Sequence, residues 1–121
     1  MRCAVQDFRN LKVWQKAHAL TLAVYRTTVR FPGDERFGLT IQLRRTATSI
    51  PAYLADGCGR GTEAEFGKCL SQATAAGSQL EYQLLLARDL EYLTDGDYTK
   101  LAAETVEVRK MLGGLMHSLN G

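Results

Sequence analysis

Apolar or small side chains recur at alternating three- and four-residue steps through four long stretches of this chain, and that spacing constrains its fold more than any other feature. Val13, Ala17, Leu20, Val24, Thr27 and Phe31 make the first stripe; Leu43, Ala47, Ile50 and Leu54 make the second. The third holds Phe66, Leu70, Ala73, Gly77, Leu80, Leu84 and Ala87, and the fourth Tyr98, Leu101, Thr105, Val108, Leu112, Leu115 and Leu119. A three-four spacing lines one face of an α-helix. Kept over about three heptads, as in the last two stripes, it marks the seam of left-handed helix packing at about +20°. Period-two alternation is nowhere sustained, so the chain is predicted to be all-α.

Breakers divide the stripes. Pro32-Gly33 ends the first helix, predicted over residues 11–31 with Asn10 as its N-cap. The second is predicted over 35–55, capped by Asp34 and stopped by Gly57, Gly59 and Gly61. Thr62 and Glu65 form a capping box that opens a third helix over 63–93. The fourth follows Thr94-Asp95-Gly96-Asp97 and is predicted over 97–119. Short connections make consecutive helices antiparallel neighbours, so the expected architecture is an up-down-up-down four-helix bundle in a single domain over residues 1–121.

Two features depart from a minimal bundle. Pro51 sits inside the second helical pattern, where it cannot donate to the carbonyl of Ala47, so a kink is expected. An antiparallel third helix brings the small residues around Ser71–Gly77 opposite that bend. The third helix also carries a second apolar flank (Tyr82, Leu85, Leu86, Leu90, Leu93), which points to oligomerisation or to a more fully wrapped central helix.

Of the 121 residues, 45% are hydrophobic, which suits a packed core rather than disorder. No apolar run approaches the roughly 20 residues needed to cross a bilayer, and the first residues carry no apolar stretch of signal-peptide length. Cys3, Cys58 and Cys69 are odd in number and lack CxxC spacing, so reduced thiols in a cytoplasmic protein are expected. The net charge of +2 is unevenly spread. Residues 1–60 hold ten Lys/Arg against four acids, whereas residues 61–121 hold five against nine. A basic face for a polyanion, or opposite faces that meet in an assembly, both follow from this.

The chemistry the residues offer is correspondingly narrow. Carboxylate-bridged metal bundles need Glu-x-x-His on paired helices, and the chain has none. His18 and His117 have no cysteine or carboxylate at metal-ligand spacing. Gly57-Cys58-Gly59-Arg60-Gly61 lacks the preceding strand and the following Lys-Ser/Thr of a phosphate-binding loop. The chain is therefore expected to be no enzyme, with no catalytic residue, metal, cofactor or small-molecule substrate. Candidate phosphate contacts are Arg44 and Arg45, Arg60 in the glycine-rich turn, and the stripe Arg9, Lys12 and Lys16. Each has a plainer reading. Arg44 or Arg45 can pair with Glu81, Arg60 can cap the second helix, and the stripe can be solvated surface. Trp14 and Tyr25 read as packing residues.

The motifs LKVWQKAH at residues 11–18, ERFGL at 35–39, QLRR at 42–45, SIPA at 49–52 and LEYQL at 80–84 together resemble the 23S ribosomal RNA intervening-sequence protein family. The resemblance runs from about Phe8 to Leu119. It implies an antiparallel four-helix bundle that assembles into a homopentameric ring. It also implies a link to nucleic acid, since a related branch accompanies the reverse transcriptases of diversity-generating retroelements. Where the family most often reads SIPANIAEG, this chain has SIPAYLADG, with Tyr53 in place of an amide and Asp56 as a shortened carboxylate. The expected function is a cytoplasmic homo-oligomer, pentameric as this resemblance implies, that binds RNA or DNA; the alternative is a protein-interaction scaffold.

Overall fold

The computed structural model describes residues 7–120, and among them four α-helices carry the architecture. They are α1 (Lys12–Thr28), α2 (Leu39–Gly59), α3 (Glu63–Asp89) and α4 (Asp95–Asn120). Packing is extensive between α1 and α2, α2 and α3, α3 and α4, and α1 and α4. The helices therefore sit in cyclic order around a square, with α1 diagonal to α3, as an antiparallel four-helix bundle requires. Cys3 lies outside the described residues, while Cys58 and Cys69 are both buried and outside any disulfide. Among the described residues no helix is long and apolar enough to cross a membrane.

The predicted stripes form the core. Ala17, Leu20, Leu43, Leu54, Leu70, Leu80, Leu84, Thr105 and Leu112 are almost fully shielded from solvent. At about 25 cal/mol per Å² of apolar surface removed from water, such stripes supply the main drive for folding. Thr105 is accommodated because its hydroxyl donates to the Leu101 carbonyl at 2.8 Å.

Helix ends show where local chemistry overrode the sequence reading. Asn10 closes a short 3-10 turn instead of capping α1, whose N-cap is Leu11 without a side-chain bond. A second 3-10 turn, Gly33–Glu35, follows α1, and Glu35 reaches forward to accept from the Leu39 N–H at 2.9 Å. That carboxylate, and not Asp34, caps α2. Thr62 Oγ1 accepts from the Glu65 N–H at 3.2 Å as expected, but the Glu65 carboxylate turns to Arg60 and Lys68. Thr94 caps α4 in the same way, accepting from the Asp97 N–H at 3.0 Å.

The end of α3 was not legible at all. Glu91 takes a left-handed conformation (φ 65°), with the Tyr92 N–H donating to Ala87 and the Glu91 N–H to Arg88. This is a Schellman closure with glutamate at the position glycine usually takes. It ends α3 at Asp89 and leaves Leu93 buried in the turn beyond it.

α2 continues helical through Pro51, and the structure solves the proline problem from an unexpected side. The Ala47 carbonyl that Pro51 cannot serve lies 3.0 Å from the Thr21 hydroxyl of α1, which also lies 2.9 Å from the Ala17 carbonyl. Pro51 also lines the groove between α1 and α2. α2 and α3 come close at Gly57, where a Cβ would stand 2.8 Å from the Phe66 ring and 3.0 Å from Cys69 Cβ. On α3, Gly77 makes room for the side chain of Arg109 from α4.

Candidate nucleic-acid interface

The six cationic candidates do not converge on one face. α1 runs from the end holding the α2–α3 turn to the end holding the α3–α4 turn, and α2 runs back. Lys12 and Lys16 therefore lie toward the first end on the side of α1 facing α4, Arg9 lies in the 3-10 turn before α1, and Arg60 lies at the α2–α3 turn. Arg44 and Arg45 lie in the opposite half, where α1 finishes and α2 begins.

Three of the six are neutralised within the chain. Arg9 Nε sits 3.0 Å from Asp7, and Lys16 Nζ sits 2.9 Å from Glu107 of α4, which raises the lysine's affinity for its proton. Arg60 grips Asp56 one turn earlier with two bonds of 3.0 and 3.1 Å and approaches Glu65 at 3.5 Å. Those hydrogen bonds hold the Asp56 carboxyl below its ordinary value. Next to it, burial pushes the Cys69 thiol up, and the nearby Asp56 carboxylate adds to the effect. The α2–α3 end is thus a closed network in which Arg60 is already occupied. Lys12 is exposed, without an ion-pair partner among the described residues.

Within the chain, neither Arg44 nor Arg45 pairs with Glu81, the intrachain form of the pairing the sequence suggested. Glu81 is held by Arg109 across α3 and α4, in the space Gly77 provides. Antiparallel register placed the arginines at the right height, but they project from α2 toward α1 and solvent. Arg44 Nε donates to Thr28 Oγ1 at 2.8 Å, and its Nη2 reaches the Tyr25 carbonyl at 3.3 Å. Its guanidinium lies over the Tyr25 ring, 4.8 Å from the centroid. Arg45 is exposed and has no ion pair among the described residues.

These side chains line a cleft of about 330 Å³ together with Arg36, Phe37, Thr40 and Ile41. No carboxylate among the described residues lines it. Arg36 lies over the Phe37 ring at 5.4 Å from its centroid, and Phe37 is 83% exposed. Arg36 and Phe37 stand in the ERFGL motif, but neither was among the candidate contacts read from the sequence. Their signal was the 3-10 turn itself, which swings both outward just before α2 begins. The Glu35 carboxyl beside them is committed elsewhere. The Leu39 N–H, and then the Tyr92 hydroxyl at 2.9 Å, hold it below its ordinary value.

Below the cleft, an apolar groove of about 500 Å³ continues between α1 and α2, lined by Trp14, His18, Leu22, Tyr25, Pro51 and Ala55, among others. Trp14 and His18 stack nearly parallel, 5.0 Å apart, and Phe8 meets Trp14 edge-on at 4.9 Å. Leu22, Tyr25 and Val29 on this side are exposed, and so is Tyr82 on the diagonally opposite α3. Among the described residues no group of three or more His, Cys, Asp or Glu side chains could hold a metal ion.

The model of a family described as "23S rRNA-intervening sequence protein" matches residues 9–114. A solved structure from Bacteroides thetaiotaomicron, a protein of unknown function from the S23 ribosomal protein family, superposes with a TM-score of 0.78. It is 24% identical over 87% of this chain and 95% of its own, a likeness that establishes the fold alone. No curated protein matches the chain.

Proposed function

The chain belongs to the 23S rRNA-intervening sequence protein family, and on that premise we propose that it is a non-enzymatic cytoplasmic protein that forms a homo-oligomeric ring and binds nucleic acid. The observation that carries the nucleic-acid part is the cleft where Arg36, Arg44 and Arg45 meet without a carboxylate. Uncompensated guanidiniums suit phosphate, which they hold bidentately. Lys12, exposed on α1, adds a secondary contact. Arg9, Lys16 and Arg60 contribute little, because a phosphate must first displace a carboxylate from each.

The ring part rests on two supports. The family resemblance implies five subunits. Independently, exposed apolar side chains sit on diagonally opposite helices, Leu22 and Val29 at α1 and Tyr82 on α3. Two different patches on opposite corners suit head-to-tail contact, which closes into rings, better than a two-fold contact of one patch with itself. Charge agrees with this. α1 carries Lys12, Lys16 and Arg26 and no carboxylate, whereas α3 carries Glu63, Glu65, Glu81 and Asp89 against Lys68 and Arg88. Repeated around the ring, weak phosphate contacts add through avidity.

The scaffold reading without nucleic acid keeps one observation in its favour, the intrachain pairing of Arg9, Lys16 and Arg60. Light scattering, together with anisotropy of fluorescent RNA and duplex DNA across about 50–200 mM salt, decides between them. A ring mass with affinity falling steeply in salt is expected. A monomer contradicts the ring, and an oligomer that ignores both nucleic acids at the lowest salt leaves the scaffold.

A further inference from the structure

We propose that the cleft between the end of α1 and the start of α2 is a subsite for single-stranded nucleic acid, in which Phe37 receives an unpaired base and Arg36, Arg44 and Arg45 hold the flanking phosphates. This rests on the nucleic-acid reading above and goes beyond it, because backbone contact alone needs no aromatic ring.

The argument begins with Phe37. A phenyl ring 83% exposed on a turn contributes almost nothing to this chain's own core. Its neighbours are cations: Arg36 lies over it, and Arg44 and Arg45 line the same cleft. Alternating rings and guanidiniums along an uncompensated surface are what single strands use, since every base has a π-face and every linkage a charge. In a duplex those faces are hidden in the stack, so a protruding ring finds nothing to receive.

Arg44 supplies the rigid part. Its Nε is committed to Thr28 Oγ1 and its Nη2 reaches the Tyr25 carbonyl, while Tyr25 supports its plane from beneath. Thr28 is itself fixed, its hydroxyl donating to the Val24 carbonyl at 2.8 Å. The Nη1 group keeps no partner among the described residues and remains for an anion. A guanidinium already ordered in this way loses little further freedom on binding. Arg45 and Arg36, both exposed, are free to follow the backbone on either side. The cleft, at about 330 Å³, falls within the size range of small-molecule sites, roughly 300 Å³ and above.

The test compares three fluorescent probes on the whole oligomer: an oligothymidylate of about 20 nucleotides, an abasic strand of the same length, and a duplex. Phe37→Ala is expected to weaken oligothymidylate binding roughly 5- to 150-fold, the range for loss of one stacked base. It should leave abasic and duplex binding unchanged, and Phe37→Trp should restore the loss. Circular dichroism melting and light scattering confirm that each variant keeps its fold and mass. If Phe37→Ala binds oligothymidylate as wild type does, or if the abasic strand binds equally well, base stacking is overturned while backbone binding survives. If no probe binds at the lowest salt, both readings fall. If Phe37→Ala shifts the molar mass, the cleft holds a second copy of the chain, and the subsite is wrong.

Discussion

The two ends of α2 are both rich in arginine and glycine, yet they differ in kind. At its C-terminal end, Arg60 is spent on Asp56 and Glu65, Gly57 lets Phe66 and Cys69 press close, and Thr62 caps the next helix. At its N-terminal end, Arg36, Arg44 and Arg45 line a cleft with an exposed phenyl ring and no carboxylate. A cation count cannot tell these ends apart. What separates them is where the nearby carboxylate is committed: Asp56 pairs with Arg60, whereas Glu35 is taken by the Leu39 N–H and the Tyr92 hydroxyl and pairs with no arginine of the cleft among the described residues. The closed end should therefore respond to mutation through stability and the open end through binding.

The largest expected effect falls at the closed end. Gly57→Val forces a branched side chain against Phe66 and Cys69, and should cost about 1–3 kcal/mol in urea unfolding. A cost near zero would mean that α2 and α3 are less tightly apposed there. Midway along the helix, Thr21→Val removes the hydroxyl that serves the carbonyl orphaned by Pro51. A loss of about 1–3 kcal/mol is expected, with Thr21→Ser close to wild type.

At the open end, Arg44→Ala should cost only about 0.5–1.5 kcal/mol for its bond to Thr28 and its contact with Tyr25. Phe37→Ala should stay within about 0.5 kcal/mol. A large loss at either site would turn the cleft into a structural element. In the α3–α4 turn, Glu91→Gly relieves the left-handed glutamate, and a gain of about 0.5–1 kcal/mol in thermal or urea unfolding is expected.

Acid should weaken both ends through different pairs. Glu35 and Asp56 have carboxyls held below their ordinary values in the folded protein, by Leu39 and Tyr92 and by Arg60 respectively. A depressed folded value means the stabilisation is complete above the ordinary carboxylate pKa of about 4, and is lost as pH falls through the folded value. Unfolding midpoints measured from about pH 7 down to pH 2 should therefore drop below about pH 4. Glu35→Gln should reduce that drop.

Much of the bundle could be read from one dimension, because helix faces and caps are local. The stripes through Leu43, Leu70 and Leu112 and the cap at Thr62 depend on residues within a turn or two, whereas the caps read at Asn10 and Asp34 gave way to Leu11 and Glu35. Partners on other helices were hidden. The hydroxyl that satisfies Ala47 comes from Thr21, and Glu81 is claimed by Arg109, whose approach depends on the missing side chain of Gly77. The end of α3 was hidden for another reason, since Glu91 adopts a conformation usually marked by glycine. For the candidate site, Arg44 and Arg45 stood out as a pair. The rings they work with did not, because Tyr25 belongs to α1 and Phe37 is turned outward by an unforeseen 3-10 turn.

The contrast between the two ends is tested most directly by the salt dependence of nucleic-acid affinity in two variants, an Arg36/Arg44/Arg45 triple glutamine and Arg60→Gln. If the open end alone holds phosphate, the triple variant should lose up to about three units of the slope of log affinity against log salt, and Arg60→Gln should keep the wild-type slope. Equal slopes in both variants, or a larger loss from Arg60→Gln, would contradict the account.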